Sequence, residues 1–329
     1  MQIGETVGNF EIISLLGAGG MGQVYLAQQK SIKTKVAIKV LQTDISTKQS
    51  HIQRFFNEAV AVSQIHHAGI VKIFDVGFHT SGEAYLVMEY LQGETLTSRI
   101  AAKTRLPLGA VADFGRQIAS VLDATHQANI THRDLKPDNI FLIRDNELAN
   151  GERVKVLDFG IAKLVKPEGA PESTRMTGMG LGSVGTPNYM SPEQWHSLAE
   201  ADWRTDAYAF GCVAFEMTCG RPPFIGVSMA DVCAQHLGEP PPVPSSLVPG
   251  VPRALDDLIL RLLEKEPDGR PTMREAMQVF TDLGKTEGIT LSTVPPKANV
   301  ISPLATQPTV IDKSGEGRTR SSAEGDAKV

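Results

Sequence analysis

Apolar positions in the first ninety residues come in short, strand-length stretches. Residues 10–16 and 24–27 read as strands, residues 36–40 as an apolar run broken only by Lys39, and residues 84–90 as a buried strand leading into a polar connector at 91–94. Between the third and fourth of these, the spacing changes. Phe55, Ala59, Val62 and Ile65 recur every three or four positions, which predicts a helix over 53–65 with one apolar face. Further on, turn signals at Asp145-Asn146-Glu147 and Asn150-Gly151-Glu152 predict a surface hairpin over 142–155, and an apolar helix opens near Asp206 and reaches about Cys219. Residues 238–252 are proline-rich and read as an extended connector, a candidate docking surface. After Leu283 the chain turns to Thr, Ser, Pro, Gly and charge, which predicts a disordered tail.

The turn between the first two strands is Gly17-Ala18-Gly19-Gly20-Met21-Gly22-Gln23-Val24, a G-x-G-x-x-G-x-V pattern whose glycines let backbone approach phosphate closely. The pattern alone also fits a dinucleotide fold. That fold needs a helix directly after the loop, whereas strands follow here, so the hairpin is preferred; a Walker A loop is absent. Lys39, within Val36-Ala37-Ile38-Lys39, is costly among apolar neighbours unless an anion or a carboxylate meets it.

The most specific signal comes later. His132-Arg133-Asp134-Leu135-Lys136-Pro137-Asp138-Asn139 is followed, after a strand-like stretch, by Asp158-Phe159-Gly160. Together with Lys39 and the glycine turn, these segments resemble the serine/threonine protein kinases of the eukaryotic-like (Hanks-type) class. The resemblance runs from about Phe10 to about Leu283, and Gly-Ala-Gly-Gly-Met-Gly with Tyr-Met-Ser-Pro-Glu-Gln is similar to the bacterial branch.

The resemblance implies an α+β, bilobal protein-kinase fold with a small antiparallel-sheet lobe carrying one key helix and a larger helical lobe. It implies a leader over 1–9, a kinase domain over 10–284 (small lobe 10–88, hinge 89–94, large lobe 95–284) and a polar tail over 285–329. The activity implied is transfer of the γ-phosphoryl of ATP to Ser or Thr of proteins, with Mg²⁺, or Mn²⁺ as an alternative. Asp134 is then the base that accepts the hydroxyl proton, Lys136 steadies the moving phosphoryl group, and Asn139 and Asp158 hold the metal. Leu16, Gly17, Ala18, Gly19, Gly20, Met21, Gly22, Gln23, Val24 and Ala37 cover the nucleotide, Lys39 pairs with its phosphates and with Glu58, and backbone from Glu89 to Leu91 meets the adenine. Met88 limits the pocket behind it.

Further roles follow from the same resemblance. Residues 158–193 form an activation segment whose Ser173, Thr174, Thr177 and Ser183 are candidates for phosphorylation, Thr174 and Thr177 first, facing Arg133; self-association would serve such autophosphorylation. Thr186 shapes the substrate groove. Glu193 pairs with Arg270, Asp206 holds backbone amides of the catalytic loop, and His132 stacks beneath Phe159 with Val62. His66 and His67, near Asp75, lack metal spacing. The rivals are a pseudokinase that signals by shape, against which Lys39, Asp134, Asn139 and Asp158 all stand, and a small-molecule phosphotransferase, against which Ser191-Pro192-Glu193 stands.

Composition narrows the setting. The chain has 329 residues, 41% of them hydrophobic, enough for one large domain or two lobes. A net charge of -5 leaves no general basic field for nucleic acid. The three cysteines, Cys212, Cys219 and Cys233, lack metal-ligand spacing and read as buried thiols of a reducing compartment. With no signal-peptide pattern and no window long and apolar enough to span a membrane, the expectation is a cytoplasmic protein.

Overall fold

The computed structural model describes residues 1–19, 22–41, 49–159, 187–196 and 201–286, the side chains of 49–51 and 54 excepted. The first half is an antiparallel sheet in the order β1-β2-β3-β4-β6-β5, made of β1 (Thr6–Val7), β2 (Phe10–Gly19), β3 (Gly22–Gln29), β4 (Lys35–Leu41), β5 (Ile73–Phe78) and β6 (Ala84–Glu89), with helix α1 (Gln49–Ser63) against one face. The alternation within β4 sorts its side chains. Val36, Ile38 and Val40 enter a core with Val7, Ile12, Tyr25 and Val87. Ala37, Lys39 and Leu41 therefore point to the opposite face, where Leu41 packs on Phe55 and Ala59 of α1. That two-residue period sets Lys39 beside Ala37 in the interlobe cleft.

Within residues 1–9, expected as a leader, Thr6–Val7 form β1 at the edge of this sheet. Val7 is buried in its core, and Glu5 meets His79 at 3.2 Å. At the start of β3, Gly22 has φ +144°, and a Cβ there would lie 1.8 Å from the Val40 carbonyl oxygen, so only glycine permits this approach of β3 to β4.

The second half is helical around a small sheet. It comprises β7 (Gly93–Thr95), α2 (Leu96–Lys103), α3 (Leu108–Gln127), β8 (Ile140–Arg144), β9 (Glu152–Val156), α4 (Pro192–His196), α5 (Trp203–Cys219), α6 (Met229–Gly238), α7 (Pro244–Leu247), α8 (Arg253–Leu262) and α9 (Met273–Thr286), with strand order β7-β8-β9. Helices α3 and α5 are buried almost all round, and α3 buries polar Asp113, Arg116 and Gln117 among its apolar residues. Phe280 of α9 lies so close to Gly115 of α3 that a Cβ would sit 2.5 Å from its ring. Helix α5 begins three residues before Asp206 because the Asp202 carboxylate accepts the Arg204 N–H at 2.9 Å and caps it. The expected hairpin is β8–β9, its turn fastened by Asn150 to the buried Asp113 of α3 and by Asp145 to Arg153. The proline-rich connector is not wholly extended, for α7 forms one turn with Pro244 at its first position.

The two halves are stitched by backbone. Val156 donates its N–H to the Gly69 carbonyl at 2.8 Å, and Val71 donates to the Val156 carbonyl at 3.4 Å. His67 sits in this seam. Its Nδ1 accepts the Gly69 N–H, leaving Nε2–H to donate to Ser120 Oγ at 3.0 Å. Burial, with the charges of Arg153 and Lys155, lowers its pKa to about 4. The unfolded chain therefore takes up this proton first as pH falls through about 6.5, and stability declines from there toward pH 4 with a slope of up to ~1.4 kcal/mol per pH unit from this residue. Urea unfolding at pH 7 and pH 5 should show that slope, reduced in His67→Gln; equal slopes would remove the assignment.

No helix of the described residues is long and apolar enough to cross a membrane. The described cysteines are free thiols, and burial raises the pKa of all three.

Candidate active site

A cavity of about 940 Å³ lies between the halves. Leu16, Gly17, Ala18, Gly19, Gly22 and Val24 cover it, Ala37 and Lys39 reach it from β4, Met88, Glu89 and Leu91 bound its rear, and Asp134, Lys136, Asn139 and Asp158 line its floor. Gln23 and Glu58 are not among the lining residues; the Gln23 amide oxygen accepts from Tyr25 Oη. Gly20 and Met21 lie outside the described residues, as do Gly160, Ser173, Thr174, Thr177, Ser183, Thr186 and the tail from 287.

The floor is held from below. Asp206, fully buried on α5, accepts the backbone N–H of His132 at 2.7 Å and of Arg133 at 2.8 Å, and His126 Nε2 lies 2.8 Å from the same carboxylate. This clamp keeps Arg133 at φ +61°, a left-handed conformation costly for a residue with a Cβ. His132 Nδ1 accepts the Asp134 N–H at 3.3 Å, so its proton is on Nε2, which donates to the Leu157 carbonyl at 2.8 Å. Its ring packs 4.8 Å from that of Phe159, and Val62 lies in the same core. His132 thus ties the loop bearing Asp134 to the loop bearing Asp158, which is itself at φ +51°.

The polar groups converge. Asn139 Nδ2 donates to the Asp134 carbonyl at 2.7 Å and faces Asp134 Oδ2 at 3.3 Å, while Lys136 Nζ stands 3.4 Å from that oxygen. Because its nitrogen is engaged with Asp134, Asn139 keeps its amide oxygen for another contact. Lys39, 5% exposed, pairs with Asp158 Oδ1 at 2.6 Å. Lys39 thus meets the aspartate of the facing loop, beyond the pairing with Glu58 expected from the resemblance. Glu58 is half-buried on α1 and has contacts of its own. The reason is tertiary. Which carboxylate reaches Lys39 depends on how α1 and the Asp158 loop are set against β4, and no local pattern encodes that.

Glu89 was expected through its backbone, yet its side chain is also engaged. Oε1 accepts from Lys155 Nζ at 2.5 Å and from the Lys72 N–H at 2.7 Å, and the Glu89 N–H donates to the Lys72 carbonyl at 2.9 Å. Lys155 is buried in β9, and burial lowers its pKa despite the carboxylate. The sequence reading missed this strut, although Val154-Lys155-Val156 carries the same sign as Lys39, a lysine in an apolar strand. Phe141, Val71 and Leu157 also line the cleft and were missed, since each reads as ordinary core.

Beyond the floor, Arg270 forms a bidentate pair with Glu193 at 2.7 and 2.9 Å and donates to the carbonyls of Arg204, Glu264 and Lys265. Gln194 Nε2 donates to the Arg133 carbonyl at 3.0 Å, joining α4 to the catalytic loop. Tyr189 Oη donates to Glu216 Oε2 at 2.5 Å; burial and the nearby Asp138 keep the Glu216 carboxyl above its usual range even so. Arg133 Nη2 reaches the Ala201 carbonyl at 3.4 Å, and its Nε is buried without a hydrogen-bond partner among the described residues.

Among the described residues no group of three or more His, Cys, Asp or Glu could hold a metal ion. Two hard oxygen donors, the Asn139 amide and the Asp158 carboxylate, share the floor of the cleft.

The chain matches the protein kinase domain family over residues 10–280. It is 40% identical to the serine/threonine-protein kinase Pkn1 of Myxococcus xanthus over 99% of its own length and 46% of that protein's. It is 36% identical to the serine/threonine-protein kinase PknB of Mycobacterium leprae, covering 79% of this chain and 40% of that one. The chain therefore spans less than half of either relative. The crystal structure of the Mycobacterium tuberculosis PknI kinase domain superposes with a TM-score of 0.66 at 26% identity, covering 87% of this chain and 99% of that one.

Proposed function

The chain belongs to the protein kinase family, and from that premise we propose that it transfers the γ-phosphoryl of ATP to serine or threonine hydroxyls of proteins. The observation that carries this reading is the convergence of Lys39, Asp134, Lys136, Asn139 and Asp158 on one cleft under a glycine-rich turn.

Asp134 accepts the proton of the attacking hydroxyl, as a carboxylate within hydrogen-bond reach of that group can. Lys136, already beside Asp134, balances charge on the phosphoryl group. The Asn139 oxygen and the Asp158 carboxylate suit Mg²⁺, which binds through few protein oxygens and takes phosphate and water for the rest. When bound, that ion neutralises charge between the phosphates. Lys39 holds Asp158 and meets the phosphates. With its N–H committed to Lys72, Glu89 offers the adenine its carbonyl, and Leu91 its backbone. Arg133 would receive a phosphate on the activation segment, its Nε being a donor without a partner among the described residues.

Purified protein incubated with Mg-ATP should gain phosphate on Ser or Thr, read by intact mass and phosphopeptide mapping, and EDTA should abolish the gain. Binding of nucleotide without transfer to itself or to a protein acceptor would overturn the reading in favour of a binding module.

A further inference from the structure

Lys155 of β9 carries an ammonium group that the chemistry above does not use. Only 5% exposed, it donates to Glu89 Oε1 at 2.5 Å and to the Ile70 carbonyl at 3.3 Å. The same carboxylate oxygen accepts the Lys72 N–H at 2.7 Å, and the Glu89 side chain is itself 20% exposed. Three segments therefore meet on one pair: β9, the stretch 70–72 ahead of β5, and the end of β6.

Each of these segments leads into the cleft. Glu89 lines it where β6 ends, and Val71 lines it from the stretch 70–72. Strand β9 runs on into Leu157 and Asp158, three residues beyond Lys155, and both line it too. The end of β9 belongs to the large half, since Leu157 donates its N–H to the Asn139 carbonyl at 2.8 Å and its own carbonyl accepts from His132 Nε2 at 2.8 Å. Glu89 belongs to the small half, where it closes β6 and pairs with Val36 of β4. The Lys155–Glu89 pair is thus a side-chain link across the two halves, between the end proposed for adenine and the end proposed for the metal. An ion pair this buried gains little net stability over apolar packing, because both charges are stripped of water. What a short charge-assisted hydrogen bond does supply is a fixed distance between the elements that carry it.

We propose that Lys155 is a positioning residue for the nucleotide: by tying Glu89 to β9, it fixes the span between the adenine end and the metal end of the cleft. This rests on the kinase reading above. A ligand that reaches both ends gains from a span already set, since the halves need no further ordering on binding. A ligand that fills one end alone gains nothing from it.

Adenosine reaches the adenine end alone, and a non-hydrolysable ATP analogue with Mg²⁺ reaches both. In the full chain, Lys155→Met should weaken the Mg²⁺-bound analogue about tenfold by calorimetry and leave adenosine, titrated in competition, within about twofold of wild type. Lys155→Arg, which keeps a cationic donor, should restore much of the difference. Combining Lys155→Met with Glu89→Gln leaves no buried charge without its partner, so the same selective loss in that variant excludes a folding defect as its cause. In nucleotide-free protein, amides of 155–158 should exchange faster in Lys155→Met by mass spectrometry. Equal weakening of both ligands, analogue affinity within about twofold of wild type in both Met-containing variants, or unaltered exchange at 155–158 overturns the proposal and leaves the kinase reading in place. A wild type that binds neither ligand overturns the kinase reading and this proposal with it.

Discussion

Asp134→Asn is expected to slow phosphoryl transfer by ~10² to 10⁴-fold while nucleotide binding stays near wild type. The isostere preserves shape, and the 2.7 Å bond from Asn139 goes to the Asp134 backbone carbonyl, which the substitution leaves in place. What disappears is the group able to accept a proton, together with the charge facing Lys136 at 3.4 Å. Single-turnover transfer measured beside calorimetric binding of a non-hydrolysable ATP analogue separates the two effects. A rate within tenfold of wild type would mean that Asp134 is not the base.

Arg270→Met should destabilise the protein by ~3–5 kcal/mol, since it leaves Glu193 as a largely buried carboxylate without its partner. Three carbonyls that Arg270 now satisfies, those of Arg204, Glu264 and Lys265, lose their donor as well. For a chain of this size that corresponds to a fall in Tm of roughly 10 °C. Transfer should weaken too, because α4 carries both Glu193 and the Gln194 that holds the Arg133 carbonyl. A Tm shift under about 2 °C would show the pair to be dispensable.

Acid tests the same pair without mutation. Burial pushes the Glu193 carboxyl up, but bonds from Arg270 and Thr205 and the Arg270 charge outweigh it and hold the group below its ordinary 4.5. With the folded value below the unfolded one, the stabilisation is whole above about pH 4.5 and lost as pH falls through the folded value. Arg270→Met should therefore lose part of the wild-type acid sensitivity in that range, against the separate His67 slope above it.

Much of this architecture was legible because its signals are local. Val36-Ala37-Ile38-Lys39-Val40 read as a strand, and the three-to-four spacing of Phe55, Ala59 and Val62 located α1. The catalytic-loop and metal-loop segments were matched to the floor of the cleft through family resemblance, and their residues do line it. The Glu193–Arg270 pair and the grip of Asp206 on the loop backbone were anticipated only through family resemblance, and the structure forms both. Other features were illegible for definite reasons. Residues 1–9 have too short a pattern for a strand, and their pairing to β2 depends on a partner already in place. Pro244 marks a turn, yet whether one helical turn follows depends on contacts with α5 and α8.

The sequence by itself determined the family, the element types and the chemical inventory of the cleft, since these rest on periodicity and on residues close together along the chain. Tertiary structure alone decided who meets whom. It brought the carboxylate of Asp158 to Lys39, joined Lys155 to Glu89, and set Tyr208 against His236. Each pairing joins residues on different elements, and a charge or hydrogen bond a few ångströms long is settled by how helices and strands pack, a quantity no local pattern contains.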